Sequence, residues 1–128
     1  MAIQDEILKL RSISNTGLAL VDFVRSIHPK GDFSQETKSW VYRPDNFVVF
    51  DIHYQRANSI TLSLRGSPSE FQHYEILPLS LGMGHVYSRC KIENPNQLDA
   101  ASYYIRRALE LYKRGRTRPH KEEKRIER

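Results

Sequence analysis

The chain has 128 residues and a formal net charge of +5; 39% of its residues are hydrophobic and 27% are charged. This length suits one domain, and the composition excludes a chain that is disordered along its whole length. The longest apolar runs, 18–21 and 47–50, are too short to cross a bilayer, and the single cysteine, Cys90, excludes a disulfide within the chain. We therefore expect one cytoplasmic domain without a membrane segment.

Two amphipathic helices are predicted before the first strand. Apolar residues recur at helical spacing over 3–14, and again after an interruption at 15–17. Pro29 and Gly31 mark the end of the second helix. The apolar residues of the two stripes are Ile3, Ile7, Leu10 and Ile13, followed by Leu20, Val21, Val24 and Ile27.

Period-two alternation then predicts about four short strands. The stretch 29–46 is expected to be a loop with a brief strand near 39–42. A hairpin turn is expected at 55–58, and Pro78 argues that the segment containing it lies at a sheet edge. The four predicted strands cover 47–54, 59–65, 74–79 and 86–93.

The last helix has the clearest start signal. Asn94 can be its N-cap, Pro95 its first residue and Gln97 the partner in a capping box, while Gly115 suits the position just past its end. Its apolar stripe consists of Leu98, Ala101, Ile105, Ala108 and Tyr112. Short connections between strands favour antiparallel pairing. The predicted fold is therefore α+β, an antiparallel sheet of about four strands with two N-terminal helices and one C-terminal helix.

The excess positive charge is concentrated beyond that helix. Residues 113–128 contain eight basic and three acidic residues, whereas 1–112 contain twelve of each. Composition thus predicts a neutral domain, 1–112, followed by a basic C-terminal tail, 113–128. Such a tail can contact nucleic-acid phosphates without reading sequence, or it can be a solvated end that maintains solubility. The tail cations considered for phosphate contact are Lys113, Arg114, Arg116, Arg118 and Lys121.

One strand face combines an aromatic side chain with cations. Tyr87, Arg89 and Lys91 project to the side opposite the apolar residues of their strand, and Arg65 is expected beside them. Sheet faces of this composition can stack bases and hold a nucleic-acid backbone. A plain solvated sheet face carries the same residue types, so that alternative stays open.

Ionisable residues elsewhere form no recognisable catalytic or metal-binding motif. Asp51 and His53 share one strand face and His85 lies in a glycine turn, so a small metal-dependent hydrolase using these three is one hypothesis. Hydrogen-bonded surface residues are the simpler interpretation. Cys90 lies on an apolar strand face and is expected to be a buried structural thiol. We therefore predict no catalytic residue, no metal and no cofactor.

Two stretches of the chain carry a resemblance. The first is NFVVFDI (46–52) with ITLSL (60–64), and the second is GH (84–85) with QLD (97–99) and YYIRRA (103–108). Through them, residues 46–112 resemble a small uncharacterised domain that is found fused to, or beside, restriction-type endonuclease modules in bacterial proteins. The resemblance implies a companion to nucleic-acid systems, in defence against foreign DNA, and it implies no catalytic residue.

The sequence as a whole predicts a non-enzymatic binding module in a nucleic-acid-associated or multi-protein system, with the tail contacting phosphates. The alternatives are a protein–protein adaptor or homo-oligomer that binds no nucleic acid, and the hydrolase described above. A protein partner is expected. A homodimer through the N-terminal helices is also expected, because three apolar helices are too many for one face of a four-stranded sheet.

Overall fold

The computed structural model describes residues 2–117, except for the side chains of Met83, Arg116 and Thr117. Within that range the chain forms three α-helices and one six-stranded sheet. The helices are α1 (Ile3–Ile7), α2 (Ser14–Ile27) and α3 (Leu98–Thr117). The strands are β1 (Asp32–Glu36), β2 (Ser39–Arg43), β3 (Val48–His53), β4 (Ser59–Arg65), β5 (Ser80–Leu81) and β6 (Tyr87–Ile92). The predicted α+β class and helix distribution are confirmed, whereas the predicted number of about four strands is wrong.

The strands are ordered β1-β2-β3-β4-β6-β5 across the sheet, and every neighbouring pair is antiparallel. The first four strands form a meander, and the antiparallel pairing that short connections favour is confirmed. The chain then crosses from β4 to the far edge, where the two residues of β5 pair with β6. β1 and β5 are therefore the edge strands, and β3 and β4 lie at the centre.

All three α-helices cover one face of the sheet. Alternate residues of β3, β4 and β6 point toward them and are buried. They form a single cluster with apolar side chains from every helix, and each large aliphatic side chain in it contributes roughly 1.5–3 kcal/mol through burial. The strand residues that these three strands contribute to the core are Val48, Phe50, Ile52, Ile60, Leu62, Leu64, Cys90 and Ile92.

The opposite face, which we call the outer face, carries no helix within residues 2–117. Its side chains are predominantly polar, as the alternation predicted, and Val49 is its one aliphatic residue on the three strands that form most of it. The registers between β3, β4 and β6 align these residues in rows across the sheet. The outer-face residues of these strands are Val49, Asp51, His53, Ser59, Thr61, Ser63, Arg65, Tyr87, Arg89 and Lys91.

α2 lies very close to α1 and to β4 at Gly17. A Cβ atom at this position would lie 2.8 Å from Ile7 Cγ2 and 3.0 Å from Ile60 Cδ1, which is closer than carbon atoms pack. Residues 15–17, where the helical pattern is interrupted, belong to α2, because this helix begins at Ser14. The break between the helices falls earlier than predicted, and the expected continuous helix over 3–14 is wrong.

Two strand predictions are also wrong. The stretch 29–46 contains a complete hairpin, β1 and β2, rather than a loop with one brief strand. β1 escapes recognition because Phe33 is its only large apolar residue. The stretch 74–79 forms no strand, since Tyr74 and Leu77 make only an isolated bridge, and the edge strand begins at Ser80.

A short helical turn begins at Pro95, the predicted first helical residue, but α3 itself begins at Leu98 and extends further than expected. Gln97 lies in the short helical turn that leads into α3, and its side-chain oxygen accepts a hydrogen bond from the Asn94 amide at 3.1 Å. The expected end before Gly115 is wrong, because the helix continues to Thr117. Within the described part of the chain, no helix is long and apolar enough to span a bilayer.

The apolar stripe at the N-terminus is buried inside the single chain. Ile3, Ile7, Leu10 and Ile13 are at most 4% exposed. One sheet face accommodates all three helices because the sheet has six strands and α1 has only five residues. The packing argument for a homodimer therefore fails, because the stripe is already covered, and the homodimer itself stays a prediction.

Candidate nucleic-acid interface

The outer face brings four of the sequence-predicted residues together. Tyr87, Arg89 and Lys91 alternate with buried residues along β6 and project from the outer face. β4 lies beside β6, with Arg65 directly opposite Tyr87. The β4 residues opposite Arg89 and Lys91 are Ser63 and Thr61, which are small and polar. An aromatic ring and cations thus share one continuous surface that no bulky neighbour on β4 covers.

Arg65 lies between two aromatic rings at one end of this surface. Its guanidinium carbon is 5.8 Å from the centre of the Tyr87 ring and 6.0 Å from that of Tyr112, within the range of a cation–π interaction. Tyr112 belongs to α3, and the Arg65 guanidinium also approaches Gly115 near the end of that helix. These contacts place the last turns of α3 beside the Tyr87 end of the outer face.

Gly66 forms two hydrogen bonds that link the end of β4, next to Arg65, to the start of β6, next to Tyr87. Its amide donates to the carbonyl of Val86 at 2.7 Å, and its carbonyl accepts from the buried Ser88 hydroxyl at 2.7 Å. Gly66 has a φ of +119°, which residues with a side chain rarely adopt. The end of β4 is thereby joined to the start of β6, so the positions of Arg65 and Tyr87 relative to each other are set by the backbone.

The electrostatics of the outer face favour an anion. Arg89 is exposed and forms no ion pair within the described residues. Lys91 Nζ lies 3.7 Å from Glu93 Oε2, but both side chains are more than half exposed, and such pairs contribute little in water. The nearest carboxylate on the face itself, Asp51, already accepts a hydrogen bond from the Ser39 hydroxyl.

The predicted basic tail begins inside a helix. Lys113, Arg114 and Arg116 belong to α3, and the side chains of the first two are exposed. These three account for most of the net charge of the segment 113–128. The remaining predicted contact residues, Arg118 and Lys121, lie outside the described residues. Part of the basic segment is therefore held next to the Arg65 end of the outer face.

Sequence reasoning missed a partly buried polar cluster behind that end. His28 Nε2 lies 2.7 Å from Asp45 Oδ2, with 12% and 18% of the two side chains exposed, and the Tyr112 hydroxyl donates to Asp45 Oδ1 at 3.2 Å. The His28 ring stacks on Phe47, with centres 5.8 Å apart. The cluster joins the end of α2, the loop before β3 and α3. No spacing signal could reveal it, because its members are scattered widely along the sequence.

The residues of the hydrolase hypothesis do not come together. Asp51 and His53 share the outer face, and the His53 ring nitrogen lies 3.3 Å from the Thr61 hydroxyl. His85 precedes β6 near the Arg65 end of β4, whereas His53 pairs with Ser59 at its other end. That is a separation of roughly 20 Å along the strand. Among the described residues, no group of three His, Cys, Asp or Glu could hold a metal ion.

Comparisons with known proteins reveal no relative: no protein-family model, no curated protein and no solved structure matches the chain.

Proposed function

We propose that the protein binds single-stranded nucleic acid across the outer face. Tyr87 stacks on a base, while Arg89 and Lys91 contact the phosphates on either side. The observation that carries the proposal is the row on β6 that faces away from the helices, in which one ring and two cations alternate with buried residues. Stacking of bases on aromatic side chains combined with a cationic surface is how single strands are bound without sequence preference.

Several features support a single strand rather than a duplex. The major groove admits an α-helix or a two-stranded ribbon rather than a broad sheet face, whereas unpaired bases can lie flat on an aromatic ring. The ring of Tyr87 is held in place by the Arg65 guanidinium. The basic end of α3, with Lys113 and Arg114, lies at the same end of the outer face and adds phosphate contacts that do not depend on sequence.

The resemblance of residues 46–112 to companions of restriction-type endonuclease modules supports the same class of function. On this proposal the protein is a binding module that operates beside nucleic-acid-processing proteins, in a bacterial defence system. Its outer face then provides the contact with the nucleic acid, and its partners perform the chemistry. This division of labour accords with the dispersed positions of Asp51, His53 and His85.

Replacement of Tyr87 by alanine tests the proposal. Loss of one stacked base costs roughly 1–3 kcal/mol, so Tyr87→Ala is expected to weaken binding of a short single-stranded oligonucleotide about 5- to 150-fold. Tyr103→Ala is the matched control, because Tyr103 is 55% exposed on the helix-covered side of the molecule. Fluorescence anisotropy at one fixed salt concentration measures both variants against the wild type.

The same titrations, repeated at several salt concentrations, test whether Arg89 and Lys91 contact phosphates. Each phosphate contact removed by Arg89→Gln or Lys91→Gln is expected to lower the slope of log affinity against log salt by about 0.7. Equal binding by the wild type, Tyr87→Ala and Tyr103→Ala would contradict the proposal. That outcome would favour the protein–protein alternative, for which the exposed Leu81 and Val86 at the β5 edge are the natural surface.

A further inference from the structure

A cleft of about 710 Å³ opens at the end of the sheet where β3 turns into β4. This volume is within the range of sites for small molecules. One wall consists of outer-face residues, and the others come from the β1–β2 turn, the 54–57 loop and α1. We call it the end cleft, and the lining residues that matter here are Lys38, His53, Arg56, Ser59, Arg89 and Lys91.

The end cleft is strongly cationic. Four of its lining residues are Lys or Arg, against one carboxylate, Glu6. That carboxylate accepts a hydrogen bond from the indole nitrogen of Trp40 at 3.1 Å. Lys38 and Arg56 are exposed and form no ion pair within residues 2–117. Several unpaired cations around one concave surface focus a positive potential there.

A buried hydroxyl in the same cleft lacks a partner. Ser59 is 1% exposed, and its Oγ forms no hydrogen bond among the described residues. A buried polar group without a partner costs roughly 1–3 kcal/mol, so such groups are rare in folded proteins. Ser59 lines the end cleft together with residues 54–57, and its hydroxyl still has a hydrogen bond to donate to an oxygen atom bound there.

The end cleft is continuous with the proposed binding row. Arg89 and Lys91 line the cleft and also belong to the row on β6. The row starts at Tyr87 and reaches Lys91 after roughly 13 Å of strand. A single-stranded nucleic acid that stacks on Tyr87 and follows β6 toward Lys91 therefore reaches the end cleft, where the sheet ends.

We propose that the end cleft receives the terminal phosphate of the bound strand, so that the protein prefers a phosphorylated end. This inference rests on the proposed function. A terminal phosphomonoester carries a charge of about −1.5 to −2 at neutral pH and offers more acceptor oxygens than an internal diester. Lys38 and Arg56 contact it from the turn and the loop, while Lys91 contacts it from the sheet.

The test compares one short oligonucleotide in three forms, with a 5′-phosphate, with a 3′-phosphate and with hydroxyl groups at both ends. Isothermal titration calorimetry measures the affinity of each for the full chain. One phosphorylated form is expected to bind about tenfold more tightly than the hydroxyl form, which is the effect of one further charge-assisted hydrogen bond. The double variant Lys38→Gln/Arg56→Gln is expected to abolish this preference while it still binds the hydroxyl form.

Lys30→Gln is the matched control. Lys30 is exposed in the turn before β1, at the Asp32 end of that strand, whereas Lys38 follows the opposite end. The Lys30→Gln substitution removes one positive charge and leaves the end cleft unchanged, so the preference for the phosphorylated end is expected to persist. Retention of the preference by the double variant, or its loss in Lys30→Gln, would contradict the assignment to the end cleft.

The outcomes separate this inference from the proposed function. Equal affinity for all three oligonucleotides would overturn the end preference and leave the outer-face proposal intact. Failure of all three to bind would overturn both. A free nucleoside monophosphate that binds as tightly as the phosphorylated oligonucleotide would show that the cleft is a mononucleotide site, which would also overturn the preference for a strand end.

Discussion

Side chains on the outer face are held in position by contacts with other parts of the molecule. Tyr87 is half-buried, and its ring is in contact with Arg65, which in turn contacts Tyr112 on α3. Because Tyr112 also donates to Asp45, the ring on which a base would stack is connected through side chains to the core. A preorganised ring loses less conformational entropy on binding than a free one. Tyr103 is more exposed, and no cation–π contact to its ring occurs among the described residues.

The burial of Cys90 leads to a prediction about the reactivity of its thiol. Its side chain lies on the helix-covered face of β6 and is 4% exposed, and burial raises the pKa of its thiol from 9.0 to about 12. The thiolate is the reactive form, so at pH 8 the folded protein is expected to resist alkylation by iodoacetamide. Mass spectrometry should find the thiol labelled only after a denaturant is added. Complete labelling of the folded protein would contradict the described position of β6.

At the scale of elements, the C-terminal end of α3 is expected to contribute to binding. The helical residues 113–117 carry three cations next to the Arg65 end of the outer face. A chain that ends at Thr117 is therefore expected to bind oligonucleotides more tightly, and with a steeper salt dependence, than one that ends at Tyr112. Anisotropy titrations compare the two, with thermal unfolding as the control for folding. Identical binding by both would contradict a role for this part of α3.

Some strands and site residues could be predicted from the sequence, and others could not. Alternation in β4 and β6 placed Arg65 and Tyr87 on the outer face correctly, because one side of each strand is apolar. β1 and the end cleft could not be predicted, since β1 has a single large apolar residue and Lys38 and Arg56 belong to separate connections. The predicted strand 47–54 begins one residue before β3, and Phe47 at that position is fully buried with its ring stacked on His28.

At the scale of the whole molecule, helices occupy one face of the sheet and leave the other to solvent. The body up to residue 112 is neutral in total, but its charge is unevenly distributed. Cations gather on the outer face, in the end cleft and at the end of α3. A neutral domain can therefore attract a polyanion through one surface, and the salt dependence of binding reports the number of phosphates that this surface neutralises.

The most direct test maps the binding surface by NMR, from backbone amide shifts recorded while a single-stranded oligonucleotide is added. We predict that the shifted signals come from the outer face and from the end of α3, while those of the buried part of α2 remain unchanged. The residues expected to shift are Thr61, Ser63, Arg65, Tyr87, Arg89, Lys91, Lys113 and Arg114. Shifts confined to the helix-covered side, around Tyr103 and Arg106, or an unchanged spectrum at saturating oligonucleotide, would contradict it.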